Sequence, residues 1–599
     1  MPFLLLHSLF YNLFLPFYNH FSTIFFAYYV DIAIILAVAI AIAFGQLSAP
    51  FSRIRRGHAY HLALLLAAFL ALELLFVQPY HLLYNDEYIY MSMAKTMLTD
   101  HLFGICSFST AVHCVPGTLG FFHQPGEWPV LLAGAFSIFG ISPGTAYSLT
   151  LLLSALSIVL LFMIAYLLFN DERRALASSV AFASIPLFMS YSRTSIVDIA
   201  AFAALLLSIL AFIVYSRQKS LRTGLVAMLS ALFMLGTKID MVYALPLLAM
   251  ILLLGRGWLR HRTMRANLLK GAALLAVAAV AIVPQLGFLY YAQQDSFGSA
   301  VNFGQSKFSA QNFNENIFNN TVFWLGAFNS VRNSGSGVYS FTYHAEFPIT
   351  VTAFAFIGAL AMLAYGKRRE LAIVLAWFLI TFVFYTAYYA GNVTYGLGAD
   401  VRYFIGCFAA LSLLAGYGFI GAYDWLKSKA SSGRRKRSGA MNPYVLAALS
   451  VILMSVPAIQ FLTITAQPSS SIATYAGERA EESFLLANYQ KVPANCTVIT
   501  FKPPFWYVMN RSDIYTTWVN DSRYSGTLAN MSSCLYFDYD IDCYIGVRSG
   551  TVYSNTANEC RNLMDRYTMQ EVASQNYSGY TWDTSWRIYR ITGAANASG

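Results

Sequence analysis

Runs of about 20 apolar residues recur along most of this chain, and that repetition restricts its fold more than any other feature of the sequence. Hydrocarbon offers no water to a free N–H or C=O, so each run has to satisfy its backbone within itself, as a helix crossing the membrane. With 57% apolar and only 11% charged residues, and a mean hydropathy of +0.54, the chain falls outside the ordinary soluble class. The pattern places spans near 28–47, 58–78, 144–168, 175–191, 194–215, 223–238, 239–254, 268–290, 347–365, 371–390, 402–423 and 442–465. Residues 1–27 are apolar and aromatic but interrupted by His7, Asn12, Pro16, Asn19 and His20, and supply either an interfacial helix or one more span. They lack the basic start and small-residue cleavage site of a signal peptide. The expected fold is a mainly α polytopic membrane protein with 12–13 transmembrane helices.

Lysine and arginine set the orientation. They cluster at Arg53/Arg55/Arg56, Arg173/Arg174, Arg217/Lys219/Arg222, Arg256/Arg260/Arg262/Arg265, Lys367/Arg368/Arg369 and Lys427 to Arg437, in alternate loops, which the positive-inside rule makes cytoplasmic. The net charge of +10 is therefore a topology signal, and the Arg434–Arg437 run is no argument for nucleic-acid binding. The opposite loops include 79–127, 291–345, 391–401 and everything after 466. Six of the seven cysteines lie there: Cys106 and Cys114 in the first loop, Cys496, Cys534, Cys543 and Cys560 in the tail. They read as disulfides of an oxidising compartment, with three connectivities open to the tail and metal binding as the alternative. Cys407 falls inside a span, as a packing residue. Sequons at Asn319, Asn392, Asn495, Asn510, Asn520, Asn530, Asn576 and Asn596 fall on the same outer side.

Residues 1–465 read as a transmembrane domain and 466–599 as a small extracytoplasmic α/β domain, because long apolar runs give way to short alternating ones after Pro468. Helices are expected at 478–489 and 558–567, and strands at 497–501, at 535–537 or 542–545, and at 586–591. Asp538, Asp540 and Asp542 alternate as on a solvated strand face and lack the glycine and distal glutamate of a calcium loop.

Tyr84-Asn85-Asp86-Glu87-Tyr88 follows the second span directly. Asn85 suits a helix cap, and Tyr88, Met91, Ala94, Leu98 and Leu102 then recur at helical spacing, opposite Ser92, Lys95, Thr96 and Thr99. An amphipathic helix over 85–102 lying along the membrane is expected, headed by two acids. Two acids at a helix N-terminus also serve the macrodipole. Further ionisable groups sit at the outer ends of other spans: His123 in Phe122-His123-Gln124-Pro125-Gly126-Glu127-Trp128-Pro129, Arg193 and Asp198, Lys238 and Asp240, and Asp400-Val401-Arg402-Tyr403. Singly each is a boundary ion pair or a snorkelling side chain. Together, cations and carboxylates at the outer ends of non-adjacent spans suit an anionic, membrane-embedded substrate.

On these residues the sequence resembles membrane glycosyltransferases of the C-type fold, in the group of protein O-mannosyltransferases and aminoarabinose transferases. Asn85-Asp86-Glu87-Tyr88, His123-Gln124-Pro125, Ser192-Arg193 to Asp198, Gly236-Thr237-Lys238 and Arg402-Tyr403 carry the resemblance across most of 80–405. It implies membrane-parallel helices in the first outer loop and a donor sugar on a polyprenyl (dolichyl-type) phosphate. A phosphate leaving group needs little acid assistance, so one base suffices. Asp86 would take a proton from an acceptor hydroxyl in a single inverting displacement, while Glu87 would orient the site or, with His123, help hold a divalent metal. Arg193 and Lys238, with Arg402, would stabilise the departing phosphate. Asp198 and Tyr403 complete the candidate set. The acceptor is a protein, glycan or lipid hydroxyl. The tail lacks the repeat domain of eukaryotic O-mannosyltransferases, and Thr581-Trp582-Asp583-Thr584 is a poor match to the Trp-Trp-Asp-Tyr-Gly signature of oligosaccharyltransferases. The alternative is a multi-pass transporter or flippase, which predicts polar groups near the bilayer midplane; here Glu73 is the main such residue.

Overall fold

The computed structural model describes residues 20–254, 282–288, 308–324, 327–330, 340–343, 347–388, 401–432 and 476–594, save 78, 80, 82–83, 121–123, 517–518, 520–533, 540–542, 544–553 and 579–582. The chain divides into two compact units. One comprises Met1–Tyr29, Tyr80–Ala146 and Thr474–Gly599, the other Val30–Pro79 and Tyr147–Ala473.

The fold is mainly helical and built for a membrane. Among the described residues six helices are long and apolar enough to cross one: Phe21–Phe51, Arg56–Phe76, Pro143–Phe169, Val197–Gln218, Arg368–Thr386 and Arg402–Trp425. Shorter apolar helices at Leu221–Thr237, Ile239–Leu253 and Ile349–Ala364 stand where spans were expected. The expected spans near 268–290 and 442–465, and residues 1–19, lie largely or wholly outside the described residues. The span expected at 175–191 is corrected to two helices, Glu172–Ala183 and Pro186–Ser192, bent by 70°. Pro186 has no N–H and forces Ile185 into extended geometry (φ −75°, ψ 117°), so the first helix stops short of it.

In the second unit the basic loops meet at one end. The Arg55 N–H donates to Glu172 at 2.9 Å, and His58 Nδ1 lies 2.6 Å from the same carboxylate. Arg173 pairs with Asp424 at 3.2 Å, and Ser220 donates to Gln46 Oε1 at 2.7 Å. Asp171 caps the helix that follows it by accepting from the Arg173 N–H. At this end Lys219 takes a left-handed conformation (φ +54°) to close Val197–Gln218. Among the described residues, several of the sequence's basic loops thus come together at one end of this unit. Along the helices, small residues set the closest approach. A Cβ at Gly358 would overlap the Leu414 carbonyl, and one at Gly418 the Phe354 carbonyl, so Ile349–Ala364 and Ile405–Ser432 pack backbone to backbone.

The first unit holds a six-stranded sheet in the order Phe108–Ser109, Ser512–Tyr515, Thr497–Thr500, Leu535–Tyr539, Asp583–Ala594, Tyr567–Ser578. The central three strands run parallel and the rest pair antiparallel. Its edge strand Phe108–Ser109 comes from the first outer loop, more than 380 residues away in sequence from the strands it joins, a partnership no local pattern announces. Phe108, Ile499, Ile514 and Phe537 make the core under the sheet. Helices Ala476–Asn488 and Ser554–Arg566 stand where the sequence placed helices. Disulfides Cys106–Cys114, Cys496–Cys534 and Cys543–Cys560 choose one of the open connectivities, and Cys407 is free and buried. Asp538 is not on a solvated face: it is buried and accepts from Thr500 Oγ1 at 3.0 Å and Trp506 Nε1 at 2.8 Å. Asp540 and Asp542 lie outside the described residues.

Candidate active site

Asp86 and Glu87 stand in the first turn of the helix Tyr84–Thr99. Asn85, expected as the cap, is the second residue of that helix. Asp86 is exposed, whereas Glu87 is fully buried. His81 accounts for that burial. Its Nδ1 is 2.6 Å from Glu87 Oε2, and its Nε2 is 2.9 Å from Oε1 of Glu482. Tyr88 donates its hydroxyl to the same Glu482 oxygen at 3.2 Å. Burial alone would discharge the imidazole, but the Glu482 and Glu87 carboxylates on either side outweigh it and raise His81 to about 9.

The rest of this helix corrects an expectation. Its polar side does not face water: Ser92, Lys95 and Thr96 are as buried as Tyr88, Met91 and Ala94. Lys95 Nζ donates to the carbonyls of Ala111 (2.8 Å) and Tyr507 (2.6 Å) and to Asn510 Oδ1 (2.9 Å), and lies 4.0 Å from the Tyr507 ring centroid. Three oxygens and an aromatic face replace the hydration that an ammonium loses on burial.

His123 lies outside the described residues. Its neighbour Glu127 begins the short helix Glu127–Phe139, fully buried, and neither carboxylate oxygen has a hydrogen-bond partner among the described residues. Burial pushes Glu127 far above the usual carboxylate range, so it stands as the neutral acid. Gly126 allows this packing, since a Cβ there would overlap the Tyr29 ring.

In the second unit, the expected cations sit at helix ends opposite the basic loops. Asp198, in the first turn of Val197–Gln218, meets Lys238 Nζ at 2.8 Å and Arg402 Nε at 3.5 Å. Lys238 also reaches Asp240 at 3.6 Å and lies 4.5 Å from the Tyr403 ring centroid, while Arg402 donates to the Tyr403 hydroxyl at 3.0 Å. Two cations and two carboxylates make this buried cluster neutral, which lets it persist without ligand. Arg193 is not in it. Its Nε donates to the Val77 carbonyl at 3.2 Å, and Glu73 is buried beside it and Ser192. Asp198 thus holds Lys238 and Arg402, not Arg193. Asp400 lies outside the described residues.

Residues 124–291, less than a third of the chain, match the model of the family described as dolichyl-phosphate-mannose-protein mannosyltransferase. The matched segment holds Arg193, Asp198 and Lys238 but neither Asp86 nor Arg402. The chain is also similar to the solved structure of ArnT from Cupriavidus metallidurans bound to undecaprenyl phosphate, at 12% identity and TM-score 0.48, covering 88% of this chain and 97% of that one. It is similar as well to the archaeal oligosaccharyltransferase AglB from Archaeoglobus fulgidus in complex with an inhibitory peptide and a dolichol-phosphate, at 14% identity and TM-score 0.49, covering 90% and 74%. No curated protein matches it.

Sequence reasoning passed over His81, Glu482 and Glu127. The first two share no local signal, being 401 positions apart. Glu127 had one: an acid set between Pro125 and Trp128-Pro129, where turn and apolar residues predict burial. Among the described residues no three His, Cys, Asp or Glu side chains are grouped to hold a metal ion, and no step below is routed through one.

Proposed function

We propose that this protein is a membrane glycosyltransferase that moves a sugar from a polyprenyl phosphate to a hydroxyl acceptor at the extracytoplasmic face, with Asp86 as the general base. The observation that carries the assignment is the contrast between two adjacent acids. Asp86 is exposed to an incoming acceptor, whereas Glu87 is buried against His81 and cannot turn outward without breaking a buried ion pair. Asp86 takes the acceptor proton as its oxygen attacks the anomeric carbon from the face opposite the phosphate, and the bond to the phosphate oxygen breaks with inversion. The departing phosphate carries its own negative charge, so what it needs is cations. Arg193, Lys238 and Arg402 are the residues for this, and an arriving phosphate would compete with Asp198 for Lys238 and Arg402. The family description of the matched segment supports a dolichyl-type phosphate donor. The outer face suits it, because the energy of transfer arrives with the lipid and no nucleotide sugar is required there.

Transfer of metabolically radiolabelled sugar from endogenous membrane polyprenyl phosphates to endogenous acceptors tests the assignment. At matched amounts of folded enzyme, Asp86→Asn should lower transfer by about 10²–10⁴-fold, the range for removal of a general base. Transfer equal to wild type would remove Asp86 from the mechanism.

A further inference from the structure

The helix that presents Asp86 is held by the C-terminal domain at one particular place. Glu482, in Ala476–Asn488, reaches His81 Nε2 at 2.9 Å and accepts from the Tyr88 hydroxyl at 3.2 Å, and His81 Nδ1 in turn holds Glu87 at 2.6 Å. Glu482 therefore touches, directly or through one imidazole, both residues that follow Asp86. All of these side chains are buried, and the His81 and Tyr88 rings lie 4.6 Å apart between centroids. Phe505 closes over Tyr88 with ring centroids 5.1 Å apart.

Two features separate this contact from ordinary packing. The adjacent acid, Glu481, is committed to Lys502 at 2.7 Å, so the domain's own stability is served by one glutamate while its neighbour is turned to the motif. The other strong tie to this helix, Lys95, lies two turns beyond Glu87 and secures the middle of the helix, not its first turn. We propose that Glu482 is a positioning residue for sugar transfer, acting through His81 and Tyr88 to fix the first helical turn so that the Asp86 carboxylate meets the acceptor hydroxyl. This gives the C-terminal domain a part in the reaction, and it rests on the assignment of Asp86 as base. Misplacing a reacting group by an ångström costs on the order of 10²-fold, so the lever is large enough to matter.

Full-length enzyme in detergent, supplied with extracted, metabolically radiolabelled polyprenyl-phosphate sugars and with the endogenous acceptors solubilised from the same membranes, gives kcat and KM for wild type, Glu482→Ala, Glu482→Gln, His81→Ala, the Glu482→Ala/His81→Ala double variant and Asp86→Asn. Glu482→Ala should lower kcat between about tenfold and 100-fold with the donor KM within about twofold of wild type. Glu482→Gln keeps an acceptor oxygen for Tyr88 and His81 and should recover most of the loss. The double variant should be no worse than His81→Ala alone, because both act through one chain of contacts. A folded Glu482→Ala enzyme with kcat within twofold of wild type overturns the proposal, whatever its melting temperature, and so does a double variant whose losses multiply. If Glu482→Ala does not fold, the comparison of Glu482→Gln with His81→Ala decides: equal, large kcat losses in both contradict the predicted rescue. Asp86→Asn separates the two readings. If it is inactive while Glu482→Ala is normal, only the positioning role falls; if Asp86→Asn is fully active, the base assignment falls.

Discussion

His81 is the residue on which the first unit's electrostatics turn. Among the described residues it faces Glu87 and Tyr88 from its own segment and Glu482 from the C-terminal helix, with Glu481 next to the latter but engaged by Lys502. Its folded value of about 9 lies above the ordinary histidine value of about 6.5. The folded state thus holds a proton that the unfolded chain gives up, and the stabilisation is complete below about pH 6.5 and disappears as pH rises through about 9. The difference corresponds to an upper limit on the order of 3 kcal/mol. Denaturation in detergent should show wild type losing stability between about pH 6.5 and 9, while His81→Gln is less stable at the lower pH and much flatter across the window. Equal slopes for the two proteins would show that the imidazolium is not what joins these carboxylates. The buried cluster around Asp198 presents the opposite case, since its cations and acids balance without any histidine.

Helices in this molecule owe their positions to different causes, and that difference explains what the sequence could reveal. Val197–Gln218 and Arg368–Thr386 were legible because a span needs only length and apolar character, both local. The break at Pro186 was written in one residue but fell inside a continuous apolar run, where hydropathy masks a bend. Tyr84–Thr99 had a readable helical period, and its surroundings were misjudged: Lys95 and Thr96 look like a wet face until the carbonyls of Ala111 and Tyr507 are brought against them by distant chain. Asp86, Lys238 and Arg402 were visible as charges at span ends. The alliance of Asp198 with Lys238 and Arg402 was not, because ion-pair choice depends on which helices are neighbours. Helix proximity is also what Gly358 and Gly418 provide. Gly418→Val drives a branched side chain into the Phe354 carbonyl, and overpacking of this kind costs about 1–3 kcal/mol. Its melting temperature in detergent should fall by several degrees, whereas Gly421→Ala, whose Cβ meets Ala361 at an ordinary 3.6 Å, should stay within a degree or two of wild type. Equal melting temperatures for the two variants would contradict backbone-to-backbone packing of these helices.

At the scale of the whole molecule, topology decides whether the chemistry is available at all, because a base on the cytoplasmic side would meet neither the presumed outer acceptor nor a donor turned outward. Three independent observations bear on it. Arg55, His58 and Arg173, from two of the basic loops, gather on Glu172 and Asp424. Asp198, Lys238 and Arg402 sit at the opposite helix ends of the same unit, as Asp198 opens the helix that Gln218 closes. All three disulfides fall in the unit that carries the C-terminal domain, and disulfides persist in oxidising compartments. A reversed topology would put the basic cluster outside and the disulfides among reducing thiols, violating both rules together. Single cysteines at two exposed positions test this directly, since the native free cysteine, Cys407, is buried and does not compete. Lys491→Cys, at the end of the helix bearing Glu482, should react with a membrane-impermeant maleimide on intact cells, and Arg368→Cys, in the basic loop, only after permeabilisation. The reverse pattern would move Asp86 to the cytoplasmic face and with it the source of activated sugar, because nucleotide sugars are available there and a lipid-linked donor would lose its purpose.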